Sequence, residues 1–179
     1  DRVNTKLIDL PDDISLKHCA EIIVKGGIVV FPTETVYGLG ADALNPSAVE
    51  KIFTAKGRPN DNPLIIHLHD ISVLDKYVME VPQVLSLLSK LYMPGPLTVV
   101  LKKKNIIPDC VTANLDTVAV RIPDNDIARK LIEYSDTAIA APSANISGKP
   151  SPTMYKHVVS DLFGKVDAII NGGKCRIGV

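Results

Sequence analysis

Five short runs in this sequence set hydroxyls, amides and charges directly after stretches that read as buried, and each could serve a bound ligand. Ile28–Phe31 leads into Pro32-Thr33-Glu34-Thr35-Val36-Tyr37-Gly38-Leu39-Gly40, which crowds two threonines, a carboxylate and a phenol together. Open α/β sheets bind ligands at such strand ends, but Thr and Gly also serve an ordinary strand-to-helix loop, and composition favours neither reading. Lys56-Gly57-Arg58-Pro59 puts two cations at the end of a helical pattern. The helix dipole alone accounts for them. The functional alternative is a phosphate clamp, with Arg as a planar fork and Lys as a mobile point charge. His67 and His69 share the strand face opposite Leu64, Ile66 and Leu68. A half-buried strand needs polar residues on its wet side, and with no third ligand in sight H-x-H is weak support for a metal. Arg121 ends the apolar run that starts at Thr117. Last, Ala140-Ala141-Pro142-Ser143-Ala144-Asn145-Ile146-Ser147-Gly148 combines small residues, which let a ligand approach the backbone, with hydrogen-bonding Ser143 and Asn145. Ser151, before Pro152, reads as a helix N-cap.

Several familiar chemistries are missing from the sequence. It has no G-x-x-x-x-G-K-[ST] loop, no G-x-G-x-x-G after a strand, and no G-x-S-x-G or H-E-x-x-H. A nucleotide, if bound, is held by another architecture.

The elements that must position these runs alternate between short β-branched stretches and helical stripes, the pattern of an α/β layered fold. Strands are predicted at Lys6–Asp9, Ile28–Phe31, Leu64–Leu68, Thr98–Lys102, Thr117–Arg121, Ala138–Ala141 and Asp167–Ile170. One helical stripe is Leu16, Cys19, Ala20 and Ile23, closed by Gly26. Another is Val49, Ile52 and Phe53, started by Asn45-Pro46 and stopped by Gly57. Further stripes centre on Leu88, Leu131 and Val158, while Asn105–Asn114 reads as a loop. No crossover helix separates Pro96–Lys102 from Thr117–Arg121, so these neighbours should be antiparallel and the open sheet mixed.

With 179 residues, 46% of them hydrophobic, the chain suits a single domain with one good core. Its 20 basic and 20 acidic residues cancel, so no global field draws it to nucleic acid or anionic lipid. Three scattered cysteines, Cys19, Cys110 and Cys175, fit a reducing compartment better than a disulfide scaffold or zinc site. No stretch approaches the ~18 apolar residues of a membrane span. The charged first 25 residues lack a signal-peptide core. These features predict a soluble, cytoplasmic domain with no membrane partner. The chain starts at Asp1 and stops at Val179 just past an apparent turn, and so is expected to be a piece of a longer protein.

Taken in order, F-P-T-E-T-V-Y-G-L-G, K-G-R-P-x-x-N-P-L-I-I-H, P-G-P-L-T, V-A-V-R-I-P and A-P-S-A-N-x-S-G closely resemble the YrdC/Sua-type threonylcarbamoyl-AMP synthase family, from about Gly26 to Gly173. The resemblance implies a YrdC-like twisted open mixed sheet flanked by helices, and a nucleotidyltransferase acting in tRNA modification. Threonine's amine would combine with bicarbonate or CO2, and the resulting carbamate would attack the α-phosphorus of ATP, giving threonylcarbamoyl-AMP and pyrophosphate. A downstream tRNA threonylcarbamoyl transferase would take up the product, and a weak tRNA contact by this chain is open. By resemblance, Lys56 and Arg58 are the catalytic cations. Together with Asn62, Thr117, Ser143, Asn145 and Ser151 they form the ATP side. Thr35, His67, Arg121 and the backbone of Ala141 hold threonine, while Thr33 and Tyr37 shape the pocket. No general base stands out, so positioning carries the reaction. Mg²⁺ is expected on phosphate oxygens and water rather than in a carboxylate cage. In the family, the turn here formed by Gly172-Gly173 leads to a Ser-Thr element that completes the threonine pocket, and the chain stops before it. The resulting expectation is a chain that keeps its fold and its ATP site but binds threonine weakly.

Two rival readings remain at this level. One is the carbamoyl-AMP-forming domain of hydrogenase-maturation carbamoyltransferases, whose C-x-x-C zinc motifs are absent from this sequence. The other is an RNA-binding domain of tRNA or ribosome maturation. Zero net charge and 4% aromatics weigh against it, since single-strand binding wants basic grooves and stacking platforms.

Overall fold

The computed structural model describes residues 2–59 and 61–175. In chain order the elements are β1 (Lys6–Ile8), α1 (Asp13–Val24), β2 (Val29–Pro32), β3 (Tyr37–Asp42), α2 (Pro46–Lys56), β4 (Ile65–His67) and a 3₁₀ helix (Ile71–Lys76). They continue as α3 (Val84–Tyr92), β5 (Thr98–Lys102), α4 (Asp109–Thr112), β6 (Thr117–Arg121), α5 (Asp126–Ser135), β7 (Ile139–Ala141), α6 (Tyr155–Leu162) and β8 (Ala168–Ile170). All seven predicted strands form, none displaced by more than one residue at either end. The eighth, β3, falls in the Gly-rich run read as a loop, so Thr33–Val36 is the turn of a hairpin and not a strand-to-helix connection.

The glycines that made β3 look like loop are required by its packing. A Cβ on Gly40 would lie 2.6 Å from Ile139 Cγ2 and 2.8 Å from the Phe31 ring. Tyr37, Leu39 and Ala41 fill the alternate positions and are fully buried.

The strands form one sheet ordered β1-β8-β2-β3-β7-β4-β6-β5. β1, β8 and β2 run parallel, as do β4 and β6. β3 is antiparallel to β2 and β7, β7 to β4, and β5 to β6, which makes the sheet mixed as predicted. Central strands are buried on both faces because helices cover both. Val29, Phe31, Ile139 and Ala141 pack against Leu16, Ile23 and Leu131 of α1 and α5. Val30, Leu39, Ile66 and Val120 pack on the other side with Val49 and Ile52 of α2.

Local signals hold at α2. Asn45 caps it by accepting from Ser47 N and Ala48 N, Pro46 occupies its first turn, and Gly57 closes it at φ 72°. Ser151 does not cap α6. That helix begins at Tyr155 after Met154, whose side chain makes no capping bond, while Pro152 O accepts from Tyr37 N at 2.9 Å. The segment is held extended by the β3 backbone and cannot turn into a helix there. The stretch read as loop at Asn105–Asn114 contains the one-turn α4, too short to show a period.

Candidate active site

Sheet order brings together what the sequence scatters. The β2–β3 turn, the end of β4, the end of β6 and the loop after β7 surround a cavity of about 250 Å³, with Thr33, His67, Arg121, Ala141 and Ser143 in its wall. A larger hollow of about 450 Å³ has Val3, Ile28, Ala55 and Ile146 in its wall along with Lys56. Lys51, Thr54, Lys165 and Asp167 also line that wall, but of the predicted site residues it holds Lys56 alone, whereas the smaller cavity gathers Thr33, His67, Arg121, Ala141 and Ser143.

At one end of that cavity Thr33 builds the hairpin turn. Its hydroxyl donates to Val36 O at 2.6 Å and accepts from the amides of Thr35 and Val36. Thr35 Oγ1 is thereby presented 3.1 Å from Thr33 Oγ1 and 3.5 Å from Arg121 Nη1. Arg121 is only 8% exposed and its guanidinium is fixed on several sides. Nε donates to Gly95 O at 3.2 Å, and Nη2 donates to Glu34 Oε1. A guanidinium has five N–H donors. Three are used by Gly95, Thr35 and Glu34, which leaves two for an oxyanion such as a carboxylate.

His67 is buried, and its ring meets Phe31 edge-on at 5.9 Å. Burial, and then the Arg121 charge, push its pKa down to about 4, so the imidazole is neutral. Nδ1 lies 3.3 Å from Ile139 O, a partner that only accepts, so Nδ1 carries the proton and Nε2 is an acceptor. His69 is half-exposed and 4.0 Å from Glu133, as expected of a solvated partner.

Lys56 lies outside that wall, in the wall of the larger hollow; it is fully buried, and its Nζ reaches the cavity's edge by donating to Ser143 O at 2.6 Å. Desolvation, reinforced by Arg58, pushes its pKa down to about 8. Among the described residues Arg58 Nε, which is buried, finds no hydrogen-bond partner. Both cations go beyond what a helix dipole requires: one is desolvated without an acidic partner, and the other has a donor left unsatisfied.

The loop after β7 divides its two polar residues between roles. Ser143 lines the cavity and donates to Asn145 Oδ1. The Asn145 amide donates to Ile146 O at 3.2 Å and Lys149 O at 3.1 Å, so it shapes the loop that carries Ser143. Tyr37 acts from behind. Burial pushes its phenol up to about 12, and the OH donates to Gly173 O at 2.6 Å while accepting from Gly172 N at 3.0 Å. Tyr37 thus fixes the turn leaving β8 and does not line the cavity.

Of the predicted nucleotide residues only Ser143 lines this cavity; Lys56, Arg58, Asn62, Thr117, Asn145 and Ser151 do not. Asn62 and Ser151 are exposed outside its wall. Thr117 opens β6 opposite Lys102, whereas Arg121 closes the strand, roughly 13 Å away at strand rise. Asn60 of the K-G-R-P-x-x-N run and the tail Arg176–Val179, read as leading toward a pocket-completing element, lie outside the described residues. Glu34 was passed over as a functional residue. Its partner is 87 residues away, and a single carboxylate in a turn carries no local signal of that pairing.

The family model Sua5/yciO/yrdC, with the description Telomere recombination, matches residues 21–179. The chain belongs to the Sua5/YciO/YrdC family. It is 54% identical over 168 residues to the threonylcarbamoyl-AMP synthase of Pyrococcus abyssi, covering 94% of this chain and 49% of that protein. It is 48% identical over 178 residues to the threonylcarbamoyl-AMP synthase of Bacillus subtilis, covering 96% and 51%. The crystal structure of P. abyssi Sua5 complexed with L-threonine superposes with a TM-score of 0.92 at 52% identity, over 98% of this chain and 52% of that one. The chain thus spans about half the length of these relatives. Among the described residues no helix is long and apolar enough to cross a membrane.

Proposed function

We propose that residues 1–179 form one catalytic domain of a threonylcarbamoyl-AMP synthase that uses ATP, L-threonine and bicarbonate or CO2. The observation that carries the reading is the pairing of two unlike ends through Ser143. A rigid Arg121 with two spare donors suits an amino-acid carboxylate, and the desolvated Lys56 beside the unpartnered Arg58 Nε suits a triphosphate. Thr35 Oγ1 and the acceptor Nε2 of His67 stand ready for threonine's hydroxyl, with the Ala141 backbone as the floor. Asn62, Thr117 and Ser151 belong to the proposal as the outer nucleotide side, and Asn145 as the residue that holds the loop carrying Ser143. The same proteins named in the comparisons support the assignment.

The reaction balances without a dedicated base. Threonine's amine attacks the carbon of bicarbonate, releasing water, or of CO2, releasing a proton. A carbamate oxygen then attacks the α-phosphorus, and the bond to pyrophosphate breaks. The chain's part is to hold the reactants in line and to meet the developing phosphate charge with Lys56 and Arg58. Among the described residues no group of three His, Cys, Asp or Glu could hold a metal, so Mg²⁺ would arrive with the triphosphate, bound by its oxygens and water. The labile product would pass to a tRNA threonylcarbamoyl transferase.

Incubation with ATP, bicarbonate and L-threonine should give threonylcarbamoyl-AMP by mass detection, with equimolar pyrophosphate. Pyrophosphate release indifferent to threonine, with no such adenylate, would sink the reading.

A further inference from the structure

Glu34 is the least exposed ionisable group beside the threonine end, with 2% of its side chain reaching solvent, and it forms no part of the cavity wall. It stands behind Arg121. Oε1 accepts from Arg121 Nη2, and Oε2 accepts from Asp124 N at 2.7 Å. Neither oxygen faces the ligand, so Glu34 meets substrate only through its charge. The other groups around Arg121 add no buried charge: His67 is neutral, and Asp124, which shares Arg129 with Asp126, is half-exposed to solvent. The amino-acid end therefore holds one buried positive and one buried negative charge, and its sum is zero.

We propose that Glu34 is a specificity-determining residue that makes this end electrically neutral, so that it admits a zwitterion and rejects a simple carboxylate anion. The inference rests on the reading of Arg121 as the carboxylate site. An Arg121 without Glu34 would be an anion receptor, open to any small carboxylate or to inorganic phosphate. With Glu34 in place, a ligand that brings only a carboxylate leaves an uncompensated negative charge in a desolvated cavity. An amino acid brings its own ammonium and leaves none. Selection comes from the cost imposed on the wrong ligand more than from added attraction to the right one.

Calorimetric titration of the full chain with L-threonine and with 3-hydroxybutyrate, which is threonine without its amine, tests this. Wild type should bind 3-hydroxybutyrate on the order of a hundredfold more weakly than threonine. In Glu34→Gln, which keeps the shape and removes the charge, that gap should narrow about tenfold or more, chiefly because 3-hydroxybutyrate gains. Glu34→Asp should retain the wild-type preference. A Glu34→Gln protein that loses both ligands in parallel keeps the ratio and overturns the inference, marking Glu34 as structural. Should that variant not fold, wild type that takes the two ligands equally well overturns it alone. Wild type that binds neither rejects the threonine reading itself, and this inference with it.

Discussion

Arg121 shares a cavity with Ser143, whose carbonyl holds Lys56, yet the fold treats these two buried cations differently. Arg121 meets a carboxylate inside the protein, while among the described residues Lys56 meets only the carbonyl of Ser143 and has a second cation, Arg58, nearby. On the proposed reading, the threonine end is thus satisfied before any ligand arrives, with its geometry fixed and its buried charge cancelled. The nucleotide end is under-satisfied, and a polyanion completes it. If the proposed function holds, a site for a small zwitterion beside a triphosphate would gain from this asymmetry, because each end would be indifferent to the other's ligand.

The sharpest way to break the contrast is to remove one cation from each end. Arg121→Ala strands Glu34 as a buried charge without its ion-pair partner, and should destabilise the fold by about 3–5 kcal/mol in chemical denaturation. Lys56→Ala removes a desolvated cation that has no acidic partner, and should leave the unfolding midpoint close to wild type. Equal losses in the two variants would mean that the charge pairing is not what distinguishes the ends.

The second effect is kinetic. Lys56→Ala and Arg58→Ala should each lose about 2–4 kcal/mol of transition-state stabilisation, read as kcat/KM for adenylate formation. The threonine dissociation constant should hardly move. Near-normal turnover in both would remove the cationic clamp from the proposal.

The third concerns pH. The Lys56 pKa in the free protein is about 8, below the ordinary 10.5, so between those values the unfolded chain binds more protons and stability rises with pH. Triphosphate binding favours the charged form and draws a proton onto Lys56. ATP affinity should therefore hold below about pH 8 and fall above it, by at most about tenfold per pH unit. His67, with a pKa near 4, should add no pH dependence to threonine binding between pH 6 and 8. Calorimetry in buffers of different ionisation enthalpy would read the proton uptake directly. Its absence at pH 8.5 would mean that Lys56 does not face the phosphates.

What the sequence made legible follows the range of each interaction. The caps of α2 and the strands from Thr98 to Lys102 and Thr117 to Arg121 rest on neighbours a few residues apart, and those readings hold. β3 was missed because Gly38 and Gly40 answer to Phe31 and Ile139 across the sheet, while locally they look like loop. The wet-side reading of the β4 face holds for half-exposed His69 and stops at His67, which is buried against Phe31, a long-range contact that a strand pattern does not reveal. The residues Thr33, His67, Arg121, Ala141 and Ser143 were readable as a set only through family resemblance, and the fold then gathers them. Glu34 lay outside even that, since its effect passes through Arg121.

Asn145 gives the smallest and most discriminating test, because the sequence presents it as an equal of Ser143 and the structure does not. Resemblance alone makes both residues nucleotide ligands, so that Asn145→Ala would weaken ATP with stability nearly unchanged. The geometry separates them: both amide hydrogens of Asn145 are spent on Ile146 O and Lys149 O, and its oxygen accepts from Ser143. Asn145→Ala should therefore cost about 1 kcal/mol of stability, a modest loss because Lys149 lies at the exposed end of the loop. Its ATP affinity should weaken only as the loop bearing Ser143 loosens. Ser143→Ala removes a cavity hydroxyl but keeps the carbonyl that holds Lys56, so it should weaken ATP binding and leave the melting temperature in place. Melting temperature and ATP dissociation constant, measured for both variants, give a crossed pattern if this is right. Asn145→Ala with unchanged stability and a large loss of ATP affinity would restore it as a ligand in its own right.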